Sequence, residues 1–191
     1  RSMEAEAVLR TALRPASDAI FGTPPASGSY NPNADPKLQY DNPLTGAKSF
    51  NALAQQFQIV ARMIDAGLSG ATGVNRQVFF VSLGGFDTHD LQNRGHADLM
   101  ARLSQALRYF DTTLGALNAR QRVTTFTGSD FGRTFTSNGD GTDHGWGAHH
   151  FVMGGAVRGG DLYGNFPVLG VKNTNNNNFD SSPDQLGNGA L

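Results

Sequence analysis

The sequence predicts an α/β fold with a parallel sheet, on three observations. Residues 76–83 (RQVFFVSL) form a short, almost continuous run of apolar, β-branched and aromatic side chains, the pattern of a strand covered on both faces. Residues 96–118 place Leu99, Leu103, Leu107, Phe110, Leu114 and Leu117 at helical spacing. Residues 123–127 are a second β-rich run, and a polar turn follows each of the two runs. Strand, turn, long helix, strand and turn make a βαβ unit. In a parallel sheet both turns lie at the same carboxyl edge, where ligands bind, so Asp87 and Asp130 are expected to be neighbours.

The remaining elements follow in chain order. Residues 2–14 read as a short helix, with Ser2 able to cap it and Pro15 just beyond its end. Residues 22–46 are rich in Gly, Pro, Ser and Asn and keep no period, which predicts a loop-rich insertion at the surface. From Ser49 a helix is expected, with Phe50, Leu53, Phe57, Val60, Ile64 and Leu68 on one stripe and Gly70 and Gly73 ending it. Gly84 and Gly85 stop the 76–83 strand. Residues 151–157 (FVMGGAV) read as a third or edge strand. Residues 159–191 are loop-rich, with an Asn-rich patch at 173–178.

A length of 191 residues suits one domain with a proper core. The net charge of −1 gives no footprint for nucleic acid or an anionic membrane. No apolar run approaches the roughly 20 residues of a membrane span. The absence of cysteine excludes disulfides, thiolate metal sites and a Cys nucleophile. The opening RSMEAEAVLR has neither an initiator Met nor the apolar region of a signal peptide, and the ending QLGNGAL closes no element, so a processed or truncated chain is expected.

Chemistry-bearing residues fall in two clusters. The first is Asp87-Thr88-His89-Asp90, in the turn after the first β-rich run. The second lies between Asp130 and His150 and holds three of the five histidines, His144, His149 and His150, together with Asp143. Asp and His bind divalent metals and move protons. Asp87 and His89 read either as metal ligands or, for Asp87, as the cap of the next helix. Asp130 reads as a ligand or as an N-cap or turn residue. Arg133, beside an acidic site, reads as a binder of phosphate or sulfate oxygens or as a surface Arg paired with a neighbouring carboxylate. Asp143-His144 is an adjacent pair in a Gly-flanked loop. His149 and His150 face opposite ways if extended, so at most one joins a site. Trp146 either walls a pocket or simply packs.

Three apparent motifs fail. Asp130-Phe131-Gly132 spells the kinase triplet without its Gly-rich loop, strand Lys or catalytic loop. The segment NGDGTDHG lacks the ligand alternation and terminal Glu of an EF-hand. Ser129 sits in GSDFG, which is not the Gly-x-Ser-x-Gly nucleophile elbow.

The segments GGFDTH, SDFGRT, GTDHGWGAHHFVMGGAV and the GG-x-x-YG at 159–164 resemble the bacterial domain-of-unknown-function family numbered fifteen hundred and one, over about residues 50–191. That family is grouped with the sulfatase and alkaline-phosphatase superfamily. The resemblance implies an alkaline-phosphatase-like α/β/α sandwich with a mostly parallel central sheet, of which residues 1–191 would be one partial, C-terminal domain. It also implies divalent ions (Zn, Mn, Mg or Ca) held by Asp and His, and hydrolysis of phosphate or sulfate esters. By that pattern Asp87, His89, Asp130 and His144 are the metal ligands, with His96, Asp143, His149 and His150 as secondary candidates and Arg133 on the substrate. The chain departs from the superfamily pattern at two places: Asp87 and His89 are two apart rather than four, and Phe131 stands where a His follows the Asp. The superfamily nucleophile belongs to a preceding half. Twin-arginine export signals in the family imply a periplasmic or envelope address, and the alternative expectation is a catalytically degenerate envelope binding or assembly protein.

Overall fold

The computed structural model describes residues 2–145 and 147–164. In chain order the elements are α1 (Ser2–Ala12), β1 (Gln39–Asp41), β2 (Lys48–Phe50), α2 (Ala52–Leu68), α3 (Gln92–Ala116), β3 (Thr125–Phe126), β4 (Gly132–Ser137), β5 (Thr142–Gly145) and β6 (Val152–Met153). The chain divides into two compact units: Arg1–Leu83 with Asp98–Arg120, and Gly84–Ala97 with Gln121–Leu191.

The first unit is built on two helices whose apolar stripes come from the predicted periodicity. α2 buries Leu53, Ala54, Phe57, Val60 and Ala61, and α3 buries Leu99, Ala106, Tyr109, Phe110 and Leu114. Phe57 stacks on Phe110 with ring centroids 4.5 Å apart. The stripe fades at the end of α2, where Leu68 is exposed. α2 starts at Ala52 rather than Ser49, because residues 48–50 pair with β1 as β2, antiparallel. Asn51 then caps the helix: its side chain accepts from the Leu53 N–H, and its amide donates to the Arg102 carbonyl (2.7 Å) and to Gln105 Oε1 (2.6 Å) on α3. Gly70, at φ +80°, takes the left-handed conformation that follows the helix end. α3 begins at Gln92, four residues before the expected start.

Residues 22–46 are mostly loop, but a loop organised by buried polar groups. Asp35 accepts from the Thr23 N–H (2.9 Å), the Tyr30 hydroxyl (2.7 Å) and the Lys37 N–H (2.9 Å). Burial, above all, pushes the Tyr30 hydroxyl up to about 12, so it remains a donor at neutral pH. Tyr40 donates to Asp98 Oδ1 at 2.6 Å, and Arg102 donates to Tyr40 at 3.0 Å. Gly22 is required here, since a Cβ would stand 2.3 Å from the Ala16 carbonyl oxygen.

Residues 76–83 depart from the expected doubly covered strand. They join no ladder among the described residues, and Val78 and Phe80 are 98% and 94% exposed. An apolar run is buried only where chain covers it, and the described residues leave these two side chains bare. The run is held at one point, where the Gln56 amide bonds both the Ser82 carbonyl and the Ser82 N–H at 2.9 Å.

In the second unit β3 pairs antiparallel with β6, Thr125 opposite Met153, and β4 pairs antiparallel with β5. The ladders among the described residues are two-stranded and antiparallel. Of the loop-rich segment expected at 159–191, residues 165–191 lie outside the described residues, as does Trp146. No described helix is long and apolar enough to cross a membrane.

Candidate metal centre

The β4–β5 hairpin and the segment after Gly84 bring the two Asp/His clusters together. The hairpin turn is Asn138-Gly139-Asp140-Gly141. Asn138 Oδ1 accepts from the Gly141 N–H (3.2 Å) and so closes the turn, and Gly139 sits at φ +138°. Gly141 then passes directly over the other cluster: a Cβ there would stand 2.1 Å from the His89 carbonyl oxygen. The Thr142 N–H bonds the Thr88 carbonyl (3.3 Å), the Gln92 N–H bonds the Asp140 carbonyl (3.0 Å), and the Thr142 hydroxyl bonds Gln92 Oε1 (2.7 Å). These bonds lace residues 88–92 to the hairpin and fix Asp87 and His89 against His144.

Three ligand atoms converge. Asp87 Oδ1 is 2.8 Å from His144 Nε2 and 3.0 Å from His89 Nε2, and the two Nε2 atoms are 3.3 Å apart. Tetrahedral zinc ligands stand ~2.0–2.2 Å from the ion, which separates ligand atoms by about 3.3–3.6 Å. The observed triangle is slightly tighter than that and opens to it with small side-chain rotations. Two imidazole nitrogens and a carboxylate oxygen at these distances crowd their lone pairs, and a proton or a cation relieves the crowding. The donor set suits zinc and other borderline divalent ions. Asp87, His89 and His144 are 55%, 45% and 49% exposed, which leaves an ion held there an open side for a further ligand.

The surroundings hold these side chains in place. His144, and then Arg133, hold the Asp87 carboxyl below the ordinary aspartate range, so it stays ionised to a lower pH than a free aspartate. Arg133 donates Nη1 to Asp87 Oδ1 (3.0 Å) and Nε to the Thr142 hydroxyl (3.0 Å), and its Nη2 bonds the Thr142 carbonyl. Arg133 thus shows the second of its two sequence readings, a guanidinium paired with a neighbouring carboxylate. On the far side of His89, Nδ1 is 3.1 Å from Asp143 Oδ1.

The other candidates are not part of the triangle, although Asp143 touches His89. Among the described residues the metal-sized grouping contains Asp87, His89 and His144. Asp130 is exposed in the bend between β3 and β4 and lies outside that grouping. His96, in the first turns of α3, meets the Phe86 ring edge-on at 6.3 Å. His150 Nδ1 lies 3.4 Å from the Thr127 hydroxyl, which also accepts from the Phe151 N–H, so this ring belongs with the β3–β6 pairing. His149 is exposed between β5 and β6. Sequence reasoning missed the contact of Asp143 with the outer nitrogen of His89 and the packing of Phe131 on His144. Both join residues too far apart in fold terms, or too irregularly placed, for a spacing rule to reveal.

No curated protein and no solved structure matches the chain. A family model matches residues 44–184, most of the chain, and includes every residue of the triangle. On that match, the chain belongs to the family described as Protein of unknown function (DUF1501).

Proposed function

We propose that this chain carries a divalent-metal site, bound by Asp87, His89 and His144, within a hydrolase of phosphate or sulfate esters. The observation that carries the reading is the triangle of Asp87 Oδ1, His89 Nε2 and His144 Nε2, with edges of 2.8 to 3.3 Å and an open side. Three protein ligands with a free position are the pattern of catalytic rather than structural zinc sites. A bound ion would polarise an ester oxygen and favour a hydroxide at neutral pH. Arg133 holds Asp87 in place through its Nη1 bond, and adds positive charge where an anionic ester would approach. The resemblance to the sulfatase and alkaline-phosphatase superfamily supports the substrate class. It also supports an alkaline-phosphatase-like sandwich, a nucleophile contributed from outside residues 1–191, and export to the periplasm or envelope.

One observation favours a second reading, a binding or assembly protein of the same ancestry that has lost catalysis. Asp130 stands outside the grouping, and Phe131 occupies the place where the superfamily pattern has a His, so a second ion lacks its ligands among the described residues. Metal analysis of the protein after loading with Zn, Mn or Ca, followed by assays on aryl phosphates and sulfates, separates the two. Ion bound and ester cleaved, both lost in His144→Ala, supports the hydrolase. Ion bound with every ester untouched supports the binding protein, and no ion bound in any loading removes the metal site.

A further inference from the structure

We propose that Asp143 is a positioning residue: it takes the Nδ1 proton of His89 and so leaves the lone pair on Nε2, the nitrogen that faces Asp87 and His144. The inference rests on the metal-site reading and names a residue that acts through a ligand rather than as one.

The argument is an accounting of one proton. A neutral imidazole has a single N–H, and His89 has a carboxylate at each end: Asp143 Oδ1 at 3.1 Å from Nδ1 and Asp87 Oδ1 at 3.0 Å from Nε2. The distances do not separate the two choices, but the acceptors do. Asp87 Oδ1 already accepts from Arg133 Nη1 at 3.0 Å and has His144 Nε2 beside it at 2.8 Å, so it has little room for a further donor from His89. Among the described residues, the other donor at Asp143 Oδ1 is the Asn138 amide, at 3.2 Å, which leaves room for a second donor. The His89 proton is therefore best placed on Nδ1.

Asp143 is itself held for this task. Its backbone N–H donates to the Thr134 hydroxyl (3.1 Å) inside the hairpin, and its carboxylate takes the Asn138 amide from the turn. A carboxylate on the outer nitrogen of a ligating His fixes ring orientation and tautomer and raises the basicity of the inner nitrogen. The adjacent residues Asp143 and His144 then serve one centre in two ways, His144 as a ligand and Asp143 as the support of the other His.

The test reads the tautomer without needing metal. Nitrogen-15 NMR of the histidine-labelled, metal-free chain at about pH 8, above the ordinary His value of about 6.5, distinguishes Nδ1–H from Nε2–H directly. The wild type is expected to show Nδ1–H at His89, and Asp143→Ala a shift toward Nε2–H with unchanged thermal unfolding. Zinc affinity should fall roughly 10- to 100-fold in Asp143→Ala. Asp143→Asn keeps an acceptor in place but is a poor ion ligand, so it should restore the tautomer and most of the affinity. An Nε2–H tautomer in the wild type, a tautomer unmoved by Asp143→Ala, or an Asn variant as weak as the Ala variant overturns the proposal. A wild-type chain with Nδ1–H at His89 that binds no zinc overturns the metal reading and leaves the orientation of His89 by Asp143 standing.

Discussion

Phe131 lies flat against His144, with ring centroids 3.8 Å apart and planes 11° from parallel. Phe131 is thus in contact with a candidate ligand, and the stack restricts the ring of that ligand. The Arg133 guanidinium carbon is 5.6 Å from the centre of the same Phe131 ring, so the aromatic also steadies the side chain that holds Asp87.

Replacing Phe131 by Ala should therefore loosen His144 without removing a ligand. Aromatic stacking contributes about 0.5–1.5 kcal/mol beyond area burial, so zinc binding by Phe131→Ala should weaken roughly 2- to 12-fold. Isothermal titration at fixed pH measures it. Unchanged affinity would mean that Phe131 merely covers the ring.

Gly141 tests the lacing of the two clusters. An added Cβ would press on the His89 and Thr88 carbonyl oxygens, at 2.1 and 2.6 Å, and both are backbone atoms that cannot swing aside. Gly141→Ala should cost about 1–3 kcal/mol and weaken metal binding together with stability, because His89 moves with its backbone. A variant that melts earlier yet binds zinc as tightly as the wild type would show that the close approach is structural only.

Much of the first unit is legible in the sequence because helices write their packing as a period. Leu53, Phe57 and Val60, and Leu99, Phe110 and Leu114, fall where the spacing puts them. The order of residues 22–46 is not legible, because it rests on Asp35 and Tyr40, whose hydrogen bonds leave no period. The exposure of Val78 and Phe80 is equally invisible, since an apolar run states what it can bury against but not whether a cover is present. At the site, composition marks Asp87, His89, Asp143 and His144 as chemically able. Which of them meet is decided by a hairpin turn at Asn138 and the bare backbone of Gly141, and the pairing of Asp87 with His144 spans 57 residues.

Asn51 joins the two helices of the first unit, and its removal should be felt there. It is fully buried, caps α2 and donates twice to α3. Asn51→Ala loses a cap, worth ~0.5–2 kcal/mol, and leaves the Arg102 carbonyl and Gln105 short of a donor. A loss of about 2–3 kcal/mol in urea unfolding is expected, with the secondary structure of the second unit retained. A loss under about 0.5 kcal/mol would indicate that water replaces both bonds.

Asp35 should make the first unit acid-sensitive. Burial raises its carboxyl, but hydrogen bonds from Tyr30, Lys37 and Thr23 outweigh burial and leave it below the ordinary range. The unfolded chain, with its Asp near 3.9, therefore takes up the proton at higher pH than the folded chain. The stabilisation is full above about pH 5 and disappears as pH falls through the depressed folded value. Asp35→Asn removes that titration and also disturbs three hydrogen bonds, so the variant should be less stable than the wild type at pH 7. Urea midpoints of the two proteins should converge as pH drops from about 5 toward 2, the gap closing because only the wild type loses an ionised Asp35. Comparing variant with wild type at each pH cancels the other carboxylates common to both. Midpoints that run parallel across this range would show that Asp35 titrates alike in the folded and unfolded chain.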